Sequence, residues 1–151
     1  MNIINIINNP KYLEEYIKLC SNEWGSPKND IELEEYIKKK LNDIQKQNKV
    51  LSILALVDSD IMIGFISLFK YDGEERKDLT PWYATMYVKK EYRGKGYSKK
   101  LNNEILKEAK KLGFDKVYLK TELENYYEKF GAIFIDNLNN GEKLYYIDCI
   151  Y

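Results

Sequence analysis

Hydrophobic periodicity changes in a fixed order along this chain, and that order restricts the folds open to it. Two helical patterns follow a short first strand, and three consecutive strand-like runs follow the helices. A further helix, a strand and a short helix then precede two final strands, which gives the order β-α-α-β-β-β-α-β-α-β-β. Hairpin-connected strands beside a β-α-β crossover predict an α/β fold with a mixed, mostly antiparallel sheet flanked by about four helices.

The bounds of these elements follow from turn and capping residues. Asn9-Pro10 and Asn29 are typical helix starts, and Asp58 to Asp60 predict a tight hairpin. Residues 21–28, which include Trp24, are predicted to be a loop. The predicted strands are residues 2–7, 50–57, 61–70, 82–88, 116–120, 132–135 and 143–150, and the later helices are residues 98–112 and 122–130.

Length and charge indicate the class of protein. A chain of 151 residues predicts a single domain spanning residues 1–151. The 24 basic and 24 acidic side chains give a net charge of zero, which argues against nucleic acid or a membrane surface as partner. The sequence shows neither a signal peptide nor an apolar run long enough to span a membrane, so we expect a cytoplasmic protein.

The absence of histidine excludes several kinds of catalysis. With a histidine count of zero, there is no Ser-His-Asp or Cys-His machinery, and no histidine-ligated zinc site. Proton transfer must therefore use Asp, Glu, Tyr, Lys, Cys or water. Cys20 and Cys149 lie far apart in the sequence and form no CxxC unit, so we expect two buried thiols and no metal site.

The third helix begins with charges of the sign that a helix start disfavours. A helix N-terminus carries a partial positive charge and is stabilised by acids, a rule that the second helix follows with Asp30 and Glu32. Each basic residue placed there costs about 0.3–1 kcal/mol when exposed, and a bound anion would reverse the sign of that cost. The basic residues before and inside the first turn of the third helix are Lys89, Lys90, Arg93, Lys95, Lys99 and Lys100.

Two glycines lie in the turn before this helix. Gly94 and Gly96 leave backbone N–H groups accessible, and strand-to-helix turns of this kind bind phosphate. The turn is neither a Walker A loop nor a dinucleotide fingerprint, because GxxxxGK[ST] and GxGxxG are both absent. On spacing alone, a solvated basic turn explains the pattern equally well.

The residues of this turn resemble a cofactor motif. The sequence YRGKGYS at residues 92–98 is similar to the acetyl-CoA motif Arg-x-x-Gly-x-Gly/Ala of the GNAT superfamily of N-acetyltransferases, with Ser98 in place of Gly or Ala. The preceding PWYATMYV at residues 81–88 looks like the fourth strand of that family. Downstream, NYYEKFGA at residues 125–132 resembles its Tyr-Glu-Lys-Leu-Gly-Phe signature.

The resemblance implies acetyl-CoA as cosubstrate and a place for it. In this family the pyrophosphate of coenzyme A lies on the turn before the third helix. The pantetheine arm bonds to the backbone of the fourth strand like an added strand. The cofactor-binding residues implied here are Met86, Tyr87, Val88, Arg93, Gly94, Lys95, Gly96, Tyr97, Ser98 and Asn125.

The resemblance also implies one catalytic residue. Tyr127 matches the family tyrosine that protonates the departing thiolate, and a phenol with a pKa of about 10 keeps its proton at neutral pH. A packing role is the alternative for Tyr127, because the chain has 14 tyrosines.

The group that deprotonates the acceptor amine is left open. Some members of the family use a Glu on the fourth strand, but residues 82–88 carry no acid. The remaining routes are capture of the neutral amine or a water chain that ends on a carboxylate. Trp24 and Tyr83 are candidates for the acceptor pocket, whereas Trp82 is expected in the core. The candidate acids are Glu23, Asp72, Glu74, Glu75 and Asp78.

Together these residues predict an acetyl-CoA-dependent N-acetyltransferase in which a primary amine of a small molecule or peptide attacks the thioester directly. The excess of acids in residues 72–78 favours a cationic acceptor such as a polyamine or aminoglycoside. One alternative is a non-catalytic acyl-CoA-binding or regulatory module. Another is an enzyme acting on charged tRNA, which the zero net charge disfavours. Family members often dimerise, and the last strands are the candidates for a homodimer interface.

Overall fold

One mixed sheet carries the helices of this protein on its two faces. The structure is a computed structural model that describes residues 1–25, 29–46 and 49–150. Its strands are β1 (Asn2–Asn5), β2 (Val50–Asp58), β3 (Ile61–Phe69), β4 (Trp82–Val88), β5 (Lys116–Thr121), β6 (Ile133–Asn137) and β7 (Lys143–Asp148). Its α-helices are α1 (Pro10–Trp24), α2 (Asp30–Gln45) and α3 (Tyr97–Lys111), and 3₁₀ turns lie at Lys90–Tyr92 and Tyr127–Phe130. The predicted α/β class is confirmed.

The sheet has the strand order β1-β2-β3-β4-β5-β7-β6. Neighbouring strands are antiparallel except for β4 and β5, which are parallel and are joined by a single register pair, Trp82 with Tyr118, within the described residues. Tyr118 N also donates to Pro81 O at 2.9 Å. Beyond this pair the two strands separate toward their carboxyl ends, which leaves an opening in the middle of the sheet.

Each face of the sheet has its own core. On one face, α3 buries Leu101, Ile105 and Ala109 against a cluster that includes Tyr83 and Leu119. On the other face, α1 and α2 pack against a cluster that contains β2 and β3 residues. A smaller cluster groups Trp82 with Leu138 and Leu144. The expected core position of Trp82 is confirmed, with 1% of the residue exposed.

Local capping explains where α1 and α2 begin. Asn9 Oδ1 accepts from Tyr12 N at 3.5 Å, and Pro10 occupies the first helical position of α1. Asn29 Oδ1 accepts from Glu32 N at 2.9 Å at the start of α2. These amides would otherwise have no intrahelical partner, so the asparagines fix both helix starts.

Two predicted elements need correction. Residues 21–24 belong to α1 and not to a loop, since the helix continues to Trp24 and Gly25 N donates to Ser21 O at 3.0 Å. Residues 26–28 of that predicted loop lie outside the described residues. The fourth helix, predicted over residues 122–130, is reduced to the 3₁₀ turn because Asn125 adopts φ +57°, which a right-handed helix does not allow.

Three further findings complete the fold. Cys20 and Cys149 are both buried and unpaired, as expected from the sequence. None of the helices in the described residues has the length and apolar character needed to cross a membrane. The predicted hairpin between β2 and β3 turns at Ser59 and Asp60, with φ of +50° and +66°. Positive φ at both central residues is what a two-residue hairpin turn of type I′ requires.

Candidate active site

A large cleft opens where β4 and β5 separate. It has a volume of 1260 Å³, and both strands, the start of α3, the end of α1 and the Tyr127 turn contribute to its walls. Most of the implied cofactor residues line it: Met86, Tyr87, Val88, Arg93, Gly94, Gly96, Tyr97 and Ser98. The fold therefore brings the carboxyl end of β4 and the glycine turn to one surface.

The start of α3 offers backbone N–H groups to this cleft. Gly96 precedes the helix with φ +82° and ψ +12°, and no side chain caps the helix there. Gly94 has φ +79°, and a Cβ placed at either glycine would meet open space within 4 Å. The first amides of a helix have no intrahelical carbonyl, and Lys100 N is the amide that donates to Gly96 O, at 3.2 Å. This arrangement suits an anion.

The side chains beside this turn are held in two ways. Arg93 Nε donates to Val88 O at 2.8 Å, and the guanidinium lies 5.5 Å from the ring centroid of Tyr87. Lys89 Nζ is bound to Glu15 Oε2 at 3.0 Å. Arg93 thus ties the glycine turn to the end of β4, whereas the exposed Lys99 lines the cleft.

A kink in β4 forms part of the cleft wall. Thr85 has φ +51°, a value that is rare for a β-branched residue, and the pairing of β3 with β4 shifts register next to it. The Thr85 hydroxyl is hydrogen-bonded to Ser67 Oγ, and Tyr16 Oη lies 2.7 Å from Ser67 Oγ and 3.3 Å from Thr85 Oγ1. Three hydroxyl groups therefore hold the kink from beneath the sheet.

Tyr127 lies on the aromatic wall of the cleft. Its ring stands edge-on to Tyr83, with centroids 6.0 Å apart, and to Tyr126, with centroids 4.8 Å apart. Burial, with a further effect of Tyr126, raises the pKa of Tyr127 to about 12. Burial also raises the pKa of Tyr83 well above its ordinary value. Both phenols therefore keep their protons at neutral pH.

The wall of the cleft also carries a group of acids around one lysine. Lys120 Nζ lies 3.8 Å from Asp72 Oδ1, and the aromatic side chains of Trp24 and Phe69 line the same cleft. Trp24 is 54% exposed. The carboxylates that line the cleft are Glu23, Asp72, Glu122 and Glu142, which we call the acidic wall.

The glycine turn and Lys120 are on opposite sides of the sheet. Leu119 packs in the α3 cluster, and residues alternate between faces along a strand, so Lys120 faces away from α3. Tyr127 packs against the α3 cluster. The opening between β4 and β5 thus connects a site for an anion, on the α3 face, with Lys120 and the acids around it on the other face.

Five acids were candidates from the sequence, and the structure separates them. Glu23 and Asp72 line the cleft. Glu74 pairs with Lys77 at 2.7 Å and Asp78 with Arg76 at 3.1 Å, while Glu75 accepts from the backbone of Asn139. These last three are not among the cleft-lining residues.

Sequence reasoning missed Glu122 and Glu142, which line the cleft from the ends of β5 and β7. Their positions depend on the strand order, which places β7 next to β5. The sequence contains no local signal for this arrangement. Lys95 and Asn125, implied by the family motifs, lie in the adjoining turns and do not line the cleft, so their role stays a prediction.

Comparison with models of known protein families shows the family to which the chain belongs. A family model described as "Acetyltransferase (GNAT) family" matches residues 12–132. Because that match covers most of the sequence, the chain belongs to the GNAT family of acetyltransferases, and its class is that of the N-acetyltransferases. This confirms the resemblance found in the motifs.

Solved structures share the fold over their full length. An aminoglycoside 6'-acetyltransferase type Ii superposes with a TM-score of 0.71 at 22% identity, over 100% of this chain and 99% of that one. The PaiA N-acetyltransferase of Thermoplasma acidophilum, in complex with coenzyme A, gives 0.67 at 21% identity, over 98% and 99%. A spermidine N-acetyltransferase chimera of Vibrio cholerae SpeG and hSSAT gives 0.71 at 18% identity, over 99% and 97%. A search of curated protein sequences finds no significant match.

Proposed function

We propose that this protein transfers the acetyl group of acetyl-CoA to a primary amine of a cationic small molecule. The observation that carries the proposal is the through-sheet cleft, which has the amide-rich start of α3 on one face and the acidic wall on the other. A phosphate-bearing donor and a positively charged acceptor would thus enter from opposite sides and meet between β4 and β5.

The residues around α3 fit the pyrophosphate of coenzyme A. Open space at Gly94 and Gly96 lets an anion approach the backbone, and the positive end of the helix stabilises it. Lys99 supplies a side-chain charge at the same place. The β4 residues Met86 to Val88 line the path toward Tyr127 and would bind the pantetheine arm through their backbone.

Direct transfer is the mechanism that these residues support. Acetyl-CoA supplies the acetyl group as a thioester, and the amine nitrogen bonds to its carbonyl carbon while the carbon–sulfur bond breaks. Tyr127 donates its proton to the leaving sulfur and is reprotonated by the product nitrogen. The chain has no histidine, and Cys20 and Cys149 are buried and have raised pKa values because of that burial, which makes an acyl-enzyme a poor route.

The acidic wall supports a cationic acceptor. The four carboxylates of the acidic wall outnumber Lys120, the lysine that pairs with Asp72, and the negative potential that they create there attracts ammonium groups. Proteins of the same fold include an aminoglycoside 6'-acetyltransferase and a spermidine acetyltransferase chimera, and both named substrates are polycationic amines.

An acceptor screen tests the proposal. Acetyl-CoA is incubated with spermidine, with an aminoglycoside that carries a 6'-amine, and with neutral and anionic primary amines, and thiol release is followed. We expect turnover with cationic amines. Turnover confined to neutral or anionic amines would contradict the acceptor class, and the lack of any turnover would contradict the transferase activity.

A non-catalytic acyl-CoA-binding module is the second candidate. The observation that favours it is the absence of an acid on β4, where residues 82–88 carry none. In such a module acetyl-CoA would bind and the screen would release no thiol.

Self-association of the chain is a further part of the proposal. The edge strand β6 exposes Ile133, Phe134 and Ile135, each at least 39% accessible, and an apolar edge strand is a site for pairing with another chain. We expect a homodimer through this edge, which light scattering would detect as twice the mass of the 18.0 kDa chain.

A further inference from the structure

Asp72 is placed to meet the amine of the acceptor. It follows β3 and faces Lys120 across the opening between β4 and β5, with 30% of its side chain exposed. The 3.8 Å separation from Lys120 Nζ is an ion pair and is longer than a hydrogen bond. A carboxylate that is half-buried in a cleft and only loosely paired can take another cation.

The other members of the acidic wall are less suited to proton transfer. Glu23 and Glu122 are exposed to solvent, where water competes with an acceptor for the carboxylate oxygens. Glu142 Oε1 already accepts a hydrogen bond from Asn140 Nδ2 at 2.6 Å. Asp72 is therefore the carboxylate of the wall that combines partial burial with a loose partner.

We propose that Asp72 binds the ammonium group of the acceptor and accepts its proton, and that Lys120 is a positioning residue that occupies this place until the acceptor arrives. This inference rests on the proposed function. The carboxylate takes one proton from the ammonium and becomes a carboxylic acid. The freed nitrogen lone pair forms the bond to the acetyl carbon, and the sulfur leaves with the proton of Tyr127.

The surroundings of Asp72 favour this role. Burial raises the pKa of its carboxyl, Lys120 on β5 opposes that effect, and Glu142 before β7 reinforces it. A carboxylate whose pKa is raised is a stronger base than one at its ordinary pKa. The difference between its pKa and that of the acceptor ammonium is therefore smaller, which favours proton transfer. The neighbouring Gly73 has no side chain, which leaves room for Lys120. A Cβ at position 73 would lie 2.8 Å from Lys120 Nζ.

The decisive measurement is kcat/KM for spermidine as a function of pH in the wild type and in two variants. The wild type should show a plateau that begins above the pKa of Asp72. In Asp72→Asn only the neutral amine reacts, so kcat/KM should be at least tenfold lower at neutral pH. It should also rise about tenfold per pH unit toward the amine pKa of about 10.4. In Lys120→Met the loss of the positive charge raises the pKa of Asp72, so the plateau should begin at a higher pH.

Binding of spermidine to the coenzyme A-loaded protein, measured by calorimetry, gives a second readout. We expect Asp72→Asn to lower the affinity for spermidine at least tenfold. Lys120→Met should leave this affinity unchanged or raise it, because the cation that competes for Asp72 is gone. Glu74→Gln is the matched control, since Glu74 is in the same loop and pairs with Lys77 in solvent. It should change neither readout.

The failures of the two proposals differ. A wild type that turns over amines, together with an Asp72→Asn variant that keeps the plateau, would overturn the role of Asp72 and leave the transferase intact. Weaker binding with an unchanged plateau would overturn the proton transfer. A wild type that releases no thiol with any amine would overturn the proposed function itself.

Discussion

A phenol can protonate a leaving thiolate only while it holds its own proton. Tyr127 meets this condition, because burial and the neighbouring Tyr126 raise its pKa to about 12. No loss of activity from deprotonation of Tyr127 is therefore expected at pH values well below that pKa. The edge-on contact with Tyr83 fixes the ring in the cleft, so the hydroxyl is the part of Tyr127 that is available for chemistry.

The substitution Tyr127→Phe keeps this packing and removes the acid. We expect kcat to fall by about 10²–10⁴-fold, the usual contribution of a general acid, with little change in acetyl-CoA affinity. Thiol release gives kcat, and calorimetric titration gives the affinity. Tyr126→Phe is the control, because the ring centroid of Tyr126 lies 4.8 Å from that of Tyr127. This substitution should lower kcat far less than Tyr127→Phe does. Full activity in Tyr127→Phe would leave the residue with a packing role alone.

At the scale of elements, α3 depends on a glycine for its start and on another for its end. Gly96 before the helix has φ +82°, and Gly113 after it has φ +97°, and a Cβ at either position meets open space. A side chain at such a φ costs about 1–2 kcal/mol whichever end it occupies. The two positions differ in that Gly96 alone lines the cleft.

This pair gives a matched test of the anion site. Gly96→Val should abolish coenzyme A binding because the side chain would fill the space beside the α3 amides, whereas Gly113→Val should bind normally. Urea unfolding should show similar destabilisation of both variants, of about 1–2 kcal/mol. Unchanged coenzyme A affinity in a folded Gly96→Val variant would refute the assignment of the turn.

The kink of β4 depends on hydroxyl groups from three elements. Ser67 on β3 is fully buried and bonds to both Tyr16 of α1 and Thr85 of β4. Ser67→Ala removes two hydrogen bonds and leaves the Tyr16 and Thr85 hydroxyls only their 3.3 Å contact with each other. At about 0.5–1.5 kcal/mol for each lost bond, we expect a loss of about 1–3 kcal/mol in the free energy of unfolding. Acetyl-CoA affinity should also fall, because Thr85 and Met86 line the cleft.

Ser52→Ala is the control for this variant. Ser52 is equally buried on β2, but its hydroxyl makes a longer bond of 3.4 Å to Glu108 and does not line the cleft. Urea unfolding and acetyl-CoA titration of both variants measure the difference. If Ser52→Ala lowered the affinity as much as Ser67→Ala, the loss would reflect general destabilisation and not the kink.

Across the whole molecule, the sequence predicts elements better than it predicts the cleft. The bounds of β4 match, and α3 starts within one residue of its predicted position, because apolar spacing and the glycine turn are local signals. Thr85 gives no such signal, since a β-branched residue is a poor candidate for positive φ. The acidic wall could not be predicted from local sequence patterns either. Glu122 and Glu142 reach the same cleft as Asp72 because of the order of the strands in the sheet.

The anion site and the cleft can be tested together through global stability. A ligand that binds only the folded protein stabilises it by about 2.7 kcal/mol at a concentration of about 100 Kd. For a chain of this size, that corresponds to a rise in Tm of about 5–10 °C. Thermal unfolding with acetyl-CoA should show this rise, and free coenzyme A should give a similar one because both carry the pyrophosphate. Gly96→Val should show neither, and the absence of a shift in the wild type at millimolar ligand would contradict the cofactor assignment.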